Sequence, residues 1–245
     1  MNPPLSPREP ASSVFASAAA PSGSPGSASN GAPPDLVLAS ACSELVLASG
    51  SPRRRELLSG AGFTFRIDVS DVDESIREGE APVDATLRLA IEKAEAVAER
   101  RHSSAQGTTS PADSRREVVL AADTTVILGE RILGKPADQR EAAQMLLSLA
   151  GRNHLVLTAW ALLGVDGGVA ECGVSRSTVR MREVSRAEAE AYAATGEPMD
   201  KAGGYAAQGI GRRFIGAIVG PLDNVIGLPM TPVVRALARA GVRPA

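Results

Sequence analysis

The chain has 245 residues, of which 44% are hydrophobic and 22% charged, the balance of a folded soluble protein. Its 26 Lys+Arg against 28 Asp+Glu leave a net charge of -2, without the broad basic excess of a nucleic-acid or membrane-surface binder. Cys42 and Cys172 are too far apart and too few for a disulfide framework or a zinc cluster, and no apolar run approaches the roughly 18 residues of a spanning helix, so a soluble, cytoplasmic protein is expected.

Residues 1–34 are a low-complexity tail in which Pro, Ser, Ala and Gly fill 26 positions. Such a segment has too little apolar surface to offset the entropy of ordering it, so disorder is expected there and one folded domain over 35–245. Leu45–Ala48 reads as a buried strand, followed by a helix from Pro52 that stops near Gly60 and Gly62. Phe65–Val69 is a second strand leading into an acidic loop, Asp71–Glu80. Leu87, Ile91, Ala94 and Ala98 mark one face of a helix over Asp84–Arg101, and Ser103–Arg116 is a polar surface loop.

Glu117–Ala122 is an apolar strand that runs straight into Asp123, and a turn around Gly129 suggests a short hairpin. A helix over Asp138–Ala150 follows, then a strand at His154–Leu163, a turn at Gly167-Gly168 and a strand at Val174–Arg182. Helices over Arg186–Ala194 and Thr231–Ala240 complete the pattern. Strands alternating with helices predict an α/β or mixed α+β domain, with two lobes and a cleft within reach of about 210 ordered residues.

Three segments carry chemistry. In Ser49-Gly50-Ser51-Pro52-Arg53-Arg54-Arg55, Ser51 suits an N-cap and Pro52 the first helical position, yet three arginines crowd a helix start whose dipole disfavours cations. A bound anion reverses that sign; a solvated basic helix start is the alternative. Asp123-Thr124-Thr125 puts a carboxylate at the end of an apolar strand, where it can orient a metal ion or accept a proton from water, or simply begin a turn. Asp71-Val72-Asp73-Glu74 offers three acids, suited to Mg²⁺ beside an anion or to a solvated loop. Paired carboxylates also raise glycoside hydrolysis, but aromatic residues at 3% leave no sugar platform. Only three lysines occur, Lys93, Lys135 and Lys201, against 23 arginines, as if these sites need a compact ammonium. The Walker A spacing, the nucleophile elbow and the zinc-protease helix are all missing. With only His102 and His154, histidine-centred catalysis is not expected; His154 reads as a strand residue with a satisfied ring.

Taken in order, these segments resemble the Maf family of nucleoside triphosphate pyrophosphatases. The resemblance rests on Leu47-Ala48-Ser49-Gly50-Ser51-Pro52-Arg53-Arg54, Val72-Asp73-Glu74, Glu92-Lys93-Ala94, Ala122-Asp123-Thr124 and Gly134-Lys135-Pro136. It continues through the run from Gly196-Glu197-Pro198 to Gln208-Gly209 and ends at Asn224-Val225-Ile226-Gly227-Leu228-Pro229, covering about residues 45–240. The resemblance implies two lobes around a central sheet, as in inosine triphosphatases, with a deep substrate cleft, usually in a homodimer. It implies hydrolysis of a nucleoside triphosphate to monophosphate and pyrophosphate with a divalent cation, Mg²⁺ or Mn²⁺. Asp123 then falls at the proton acceptor's position, and Glu74 with Asp123 at the metal. Ser49, Arg53, Arg54, Lys93, Lys135 and Lys201 fall where phosphate and substrate bind. Arg53, Thr124 and Gln208 resemble the branch acting on dTTP and UTP. The rival readings are a 7-methyl-GTP pyrophosphatase and a non-catalytic nucleotide-binding regulator of septum formation. Asp223, the tail and the longer Ser103–Arg116 loop depart from the family pattern.

Overall fold

The structure is a computed structural model that describes residues 43–105, 117–165 and 170–245. The tail at 1–34, the 106–116 part of the expected polar loop and the turn at Gly167-Gly168 lie outside the described residues. Residues from Ala39 onward form one compact unit.

Among the described residues thirteen helices and strands follow one another in that unit. They are β1 (Glu44–Leu47), α1 (Pro52–Gly60), β2 (Arg66–Ile67), α2 (Pro82–Ala105), β3 (Glu117–Leu128), β4 (Arg131–Leu133), α3 (Gln139–Leu149), β5 (Asn153–Gly164), β6 (Ala170–Met181), α4 (Arg186–Ala193), β7 (Ile215–Val219), α5 (Leu222–Ile226) and α6 (Met230–Arg239). The strands form a mixed sheet in the order β2-β1-β3-β5-β6-β7, with β4 pairing β3. Pairs β1–β2 and β1–β3 are parallel, while β3–β5, β5–β6 and β6–β7 are antiparallel. The α/β class expected from the alternation is the observed one.

Local chemistry explains several boundaries. Asp138 caps α3 by accepting from Glu141 N, and Glu141 reaches back to Ala137 N. Ser185 and Glu188 close a full capping box on α4. Gly129, at φ 61, turns β3 into β4. The core divides along β3. Val118, Leu120 and Ala122 pack with Leu45, Leu47, Leu162 and Leu237 on one face, while Val119 and Ala121 pack under Ala90, Ala94 and Val97 of α2 on the other. Val126 already belongs to a separate cluster with Leu146, Leu149, Tyr192 and Phe214. Each fully buried leucine contributes roughly 1.5–3 kcal/mol, so these clusters hold the lobes together by hydrophobic burial. Between them β3 passes through Asp123, Thr124 and Thr125, the polar seam of the molecule.

Several expectations need correction. The strand at Glu117 does not stop at Ala122: it continues to Leu128, because β5 pairs with it from Val118 to Ile127 and that register carries the polar residues along. Asp123 therefore lies in mid-strand and begins no turn. The second strand shrinks to Arg66–Ile67, both exposed. Helix α2 begins at Pro82 and extends past Arg101 to Ala105, and Leu87 and Ile91 of its expected face are only partly buried. β7 and α5 were not expected from the sequence.

Candidate active site

The site occupies a break in the sheet. β1 pairs with β3 only as far as Leu47 opposite Leu120, and β4 takes up the same edge at Val126 opposite Leu133. Residues 121–125 thus have β5 on one side and no strand on the other among the described residues. A cleft of about 620 Å³ opens there, walled by the β1–α1 turn, the β4 end, Glu74 and residues 200–208. All ten residues expected at the site line it: Ser49, Arg53, Arg54, Glu74, Lys93, Asp123, Thr124, Lys135, Lys201 and Gln208.

Side-chain alternation along β3 sorts these groups onto two faces. Asp123 and Thr125 face α2. Lys93 Nζ lies 2.6 Å from Asp123 Oδ1 and also 2.6 Å from Glu74 Oε1, so two carboxylates converge on one ammonium. Lys135 Nζ reaches the other Glu74 oxygen at 3.0 Å. Burial pushes the Glu74 carboxyl up, but hydrogen bonds and charge from Lys93 and Lys135 prevail and hold it at about 2. The Lys93 and Asp123 side chains are only 8% and 13% exposed, so their pairing is shielded from solvent where Coulomb attraction is strong. Two turns away, Thr86 Oγ1 donates to Pro82 O at 2.6 Å and lies 2.9 Å from Thr125 Oγ1.

Thr124 faces α1. Arg54 is clamped there by three acceptors: Gly227 O at 2.8 Å from Nε, Ser49 Oγ at 3.0 Å from Nη1 and Thr124 Oγ1 at 3.2 Å from Nη2. Desolvation lowers the Arg54 pKa, against the raising influence of Asp123. Proton counting orders the rest. Thr158 spends its one hydroxyl proton on Asn224 O at 2.8 Å, so the 3.0 Å contact between the two threonines is a donation from Thr124 to Thr158. The Thr124 hydroxyl is thereby committed, with an open lone pair but no free proton.

The third wall comes from the segment after α4. Asp200 bridges Arg53 at 3.2 Å and Lys201 at 2.5 Å, and Lys201 also donates to Glu197 O at 2.5 Å. Burial would raise the Asp200 pKa, yet Lys201 and Arg53 together lower it. Gln208 is exposed at the cleft wall.

Some sequence readings change here. Ser51 occupies the N-cap position of α1 but its side chain makes no capping bond; Ser51 N instead donates to Ser49 Oγ. The first-turn arginines are not solvated: Arg53 and Arg54 turn into the cleft and Arg55 holds Gly50 O. The three acids do not act together, because Asp73 is tied into a turn by Ser75 N and Oγ and only Glu74 reaches the cleft. The His154 ring is half satisfied: Nε2 meets Tyr205 Oη at 2.6 Å, and Nδ1 is buried without a hydrogen-bond partner. Sequence reasoning missed Asp200 as a bridge, and Thr158 and Asn224 behind Thr124. Asp200 and Asn224 stood inside quoted motifs without an assigned role; a threonine in a buried strand gave no signal.

A metal ion's place can be tested on the donors present. Among the described residues no group of three or more His, Cys, Asp or Glu side chains is arranged to hold an ion. Glu74 and Asp123, which converge on Lys93 Nζ, are hard oxygen donors of the number Mg²⁺ takes when substrate phosphates and water complete its shell. The fit is to a shared protein–substrate site. Among the described residues no helix is long and apolar enough to cross a membrane.

Comparison with known proteins gives the family. A family profile described as Maf-like protein matches residues 44–240. A dTTP/UTP pyrophosphatase of Hahella chejuensis is 45% identical over 199 residues, covering 81% of this chain and 93% of that protein. Another of Cereibacter sphaeroides is 47% identical over 199 residues, covering 81% and 95%. A solved nucleoside-triphosphatase, dITP/XTP pyrophosphatase, of Mycobacterium abscessus covers 81% of this chain and 94% of its own, but at 13% identity and a TM-score of 0.35.

Proposed function

This chain belongs to the Maf family, and from that premise we propose that it is a nucleoside triphosphate pyrophosphatase that hydrolyses dTTP and UTP to the monophosphate and pyrophosphate. The relatives named dTTP/UTP pyrophosphatase support the activity and its substrates. The observation that carries the mechanism is Asp123, a mostly buried carboxylate held 2.6 Å from Lys93 where, among the described residues, β3 pairs with β5 on one edge and with no strand on the other.

In this reading a water molecule attacks the α-phosphorus and gives its proton to Asp123, and the bond to the bridging oxygen breaks so that pyrophosphate leaves. Lys93 holds the Asp123 carboxylate in place, and Glu74 and Lys135 fix Lys93 in turn. Arg54, clamped at three points before substrate arrives, offers its remaining N–H groups to phosphate without reorganisation. Arg53 and Lys201, now shared with Asp200, supply further positive charge to the phosphate chain, and Ser49 steadies Arg54. A divalent cation, Mg²⁺ or Mn²⁺, held by Glu74 and Asp123 supplies charge neutralisation and Lewis acidity when bound. Arg53, Thr124 and Gln208 are the groups assigned to base and substrate selection, Thr124 acting through Arg54 or as an acceptor since its proton is committed. The setting assigned is the cytoplasm, which two cysteines outside any paired motif support.

The test is pyrophosphate release with Mg²⁺ from dTTP, UTP, CTP, the purine triphosphates and 7-methyl-GTP. Turnover of dTTP and UTP that falls at least about a thousandfold in Asp123→Asn, with the melting temperature kept, is the expected outcome. Turnover unchanged by Asp123→Asn removes Asp123 from the mechanism, and preference for 7-methyl-GTP removes the assigned substrates.

A further inference from the structure

Gln208 is carried by a stretch, residues 205–211, that belongs to no strand, and two side chains outside the cleft lining hold its backbone at both ends. Glu197 accepts Ile210 N on one carboxylate oxygen at 2.9 Å and Gly211 N on the other at 2.8 Å. The Tyr192 hydroxyl accepts Ala206 N at 3.1 Å, and burial, with the Glu197 carboxylate near it, raises its pKa. The bonds therefore tie down Ala206 before Gln208 and Ile210 and Gly211 after it.

The glycines in this stretch make the close approach feasible. Gly209 has φ 68, and a Cβ there would collide with Glu197 Oε1. A Cβ on Gly211 would lie 2.6 Å from Tyr192 Oη and 2.7 Å from both Ala206 N and Ala206 O. The main chain wraps the carboxylate as tightly as two missing side chains permit. Backbone N–H groups donating to a carboxylate are charge-assisted bonds, stronger than neutral ones.

We propose that Glu197 is the positioning residue that sets where Gln208 presents its amide, and with it the preference among nucleobases. The proposal rests on the reading of this chain as a dTTP/UTP pyrophosphatase. Glu197 does not touch the reacting groups: Asp123 and Lys93 sit on β3 and α2, and Lys201 is held by the Glu197 backbone carbonyl, which a side-chain change leaves in place. Replacing Glu197 by Gln keeps the shape but turns an NH₂ donor toward a backbone N–H, so one of the two clasps is lost and repulsion replaces it.

The experiment is steady-state kinetics of the full chain as wild type, Glu197→Gln, Gln208→Ala and the double variant, with dTTP, UTP and CTP. It is read beside hydrogen exchange at the Ile210 and Gly211 amides. For Glu197→Gln the expected result is a KM for dTTP raised about tenfold, kcat changed much less, and dTTP-over-CTP selectivity reduced about tenfold. The two amides exchange at least about tenfold faster, and the double variant is no worse than Gln208→Ala, since residues that act through one another are not additive. Wild-type selectivity despite faster exchange, or additive losses in the double variant, overturns the proposal. If Glu197→Gln does not fold, Tyr192→Phe removes the hydroxyl that holds Ala206 N at the other end of the stretch; a smaller loss of selectivity supports the proposal and an unchanged ratio defeats it. A wild type that releases no pyrophosphate defeats the functional reading alone, because the dTTP-over-CTP ratio can then be read in equilibrium binding, where Glu197→Gln must still lower it.

Discussion

Two buried polar residues, Lys93 on α2 and His154 on β5, behave in opposite ways. Lys93 is almost enclosed but stays balanced by two carboxylates 2.6 Å away. His154 has no such partner, and burial alone pushes its pKa from 6.5 down to about 4. Between those values the unfolded chain binds a proton that the folded chain refuses. Stability contributed by this residue is thus full above pH 6.5, falls as the pH drops toward 4 and levels off below it, a change of roughly 3 kcal/mol. Urea unfolding at pH 7, 5.5 and 4 should show that slope in the wild type and a shallower one in His154→Gln, which keeps a polar partner for Tyr205 and does not titrate. Equal slopes would mean that His154 is hydrated in the folded state. The carboxyl of Glu74, lowered from 4.5 to about 2, begins to cost stability only as the pH falls toward 4.5, so the step from pH 7 to 5.5 is the one that reads His154.

The short 3₁₀ turn at Ala202–Gly204 joins two walls of the cleft. Gly203 N donates to Gly134 O at 3.0 Å, next to Lys135, and the turn begins beside Lys201. Gly203 has φ 72, and a Cβ on it would lie 2.9 Å from Val126 Cγ1. Gly203→Ala is expected to destabilise the fold by about 1–3 kcal/mol and to raise KM more than it lowers kcat, because both lysines shift while Asp123 stays in its strand. Denaturant titration and kinetics on the same preparation check it; a KM unchanged in a destabilised protein would separate this turn from substrate binding. The same region shows what periodicity can and cannot reveal. The helices at α3, α4 and α6 were legible because caps and apolar spacing are local. The continuation of β3 past Ala122 was not, since Asp-Thr-Thr looks like a turn and only the pairing with β5 makes it strand. β7 escaped because Ile215-Gly216-Ala217-Ile218-Val219 has too little pattern to stand out, and an edge strand owes its shape to its neighbour β6. All ten expected site residues line one cleft because each sat within a recognisable local motif. Glu197, Thr158 and Asn224 work through partners distant in sequence, and no local pattern announces that.

The three apolar clusters, taken together, begin at Leu45 and end at Val242, and the family match spans 44–240. Among the described residues no member of these clusters precedes Leu45. A chain starting at Ala39 is expected to melt within about 2 °C of the full protein and to keep its kcat/KM for dTTP within a factor of about two, measured by calorimetry and pyrophosphate release. A large loss of either would assign the first 38 residues a part in folding or catalysis.

The break in the sheet has a further consequence, for how such a protein can evolve. Asp123, the carboxylate we propose as the proton acceptor, is built into a strand paired with β5 at ten consecutive positions, so almost any change there is felt by the whole core. The Gln208 amide, to which we assign nucleotide selection, is carried instead on a stretch clasped by one carboxylate and one hydroxyl. Heritable change can therefore revise which nucleotide is accepted by altering a few residues between 192 and 211, while the chemistry is inherited intact. In this architecture diet and digestion are separately mutable.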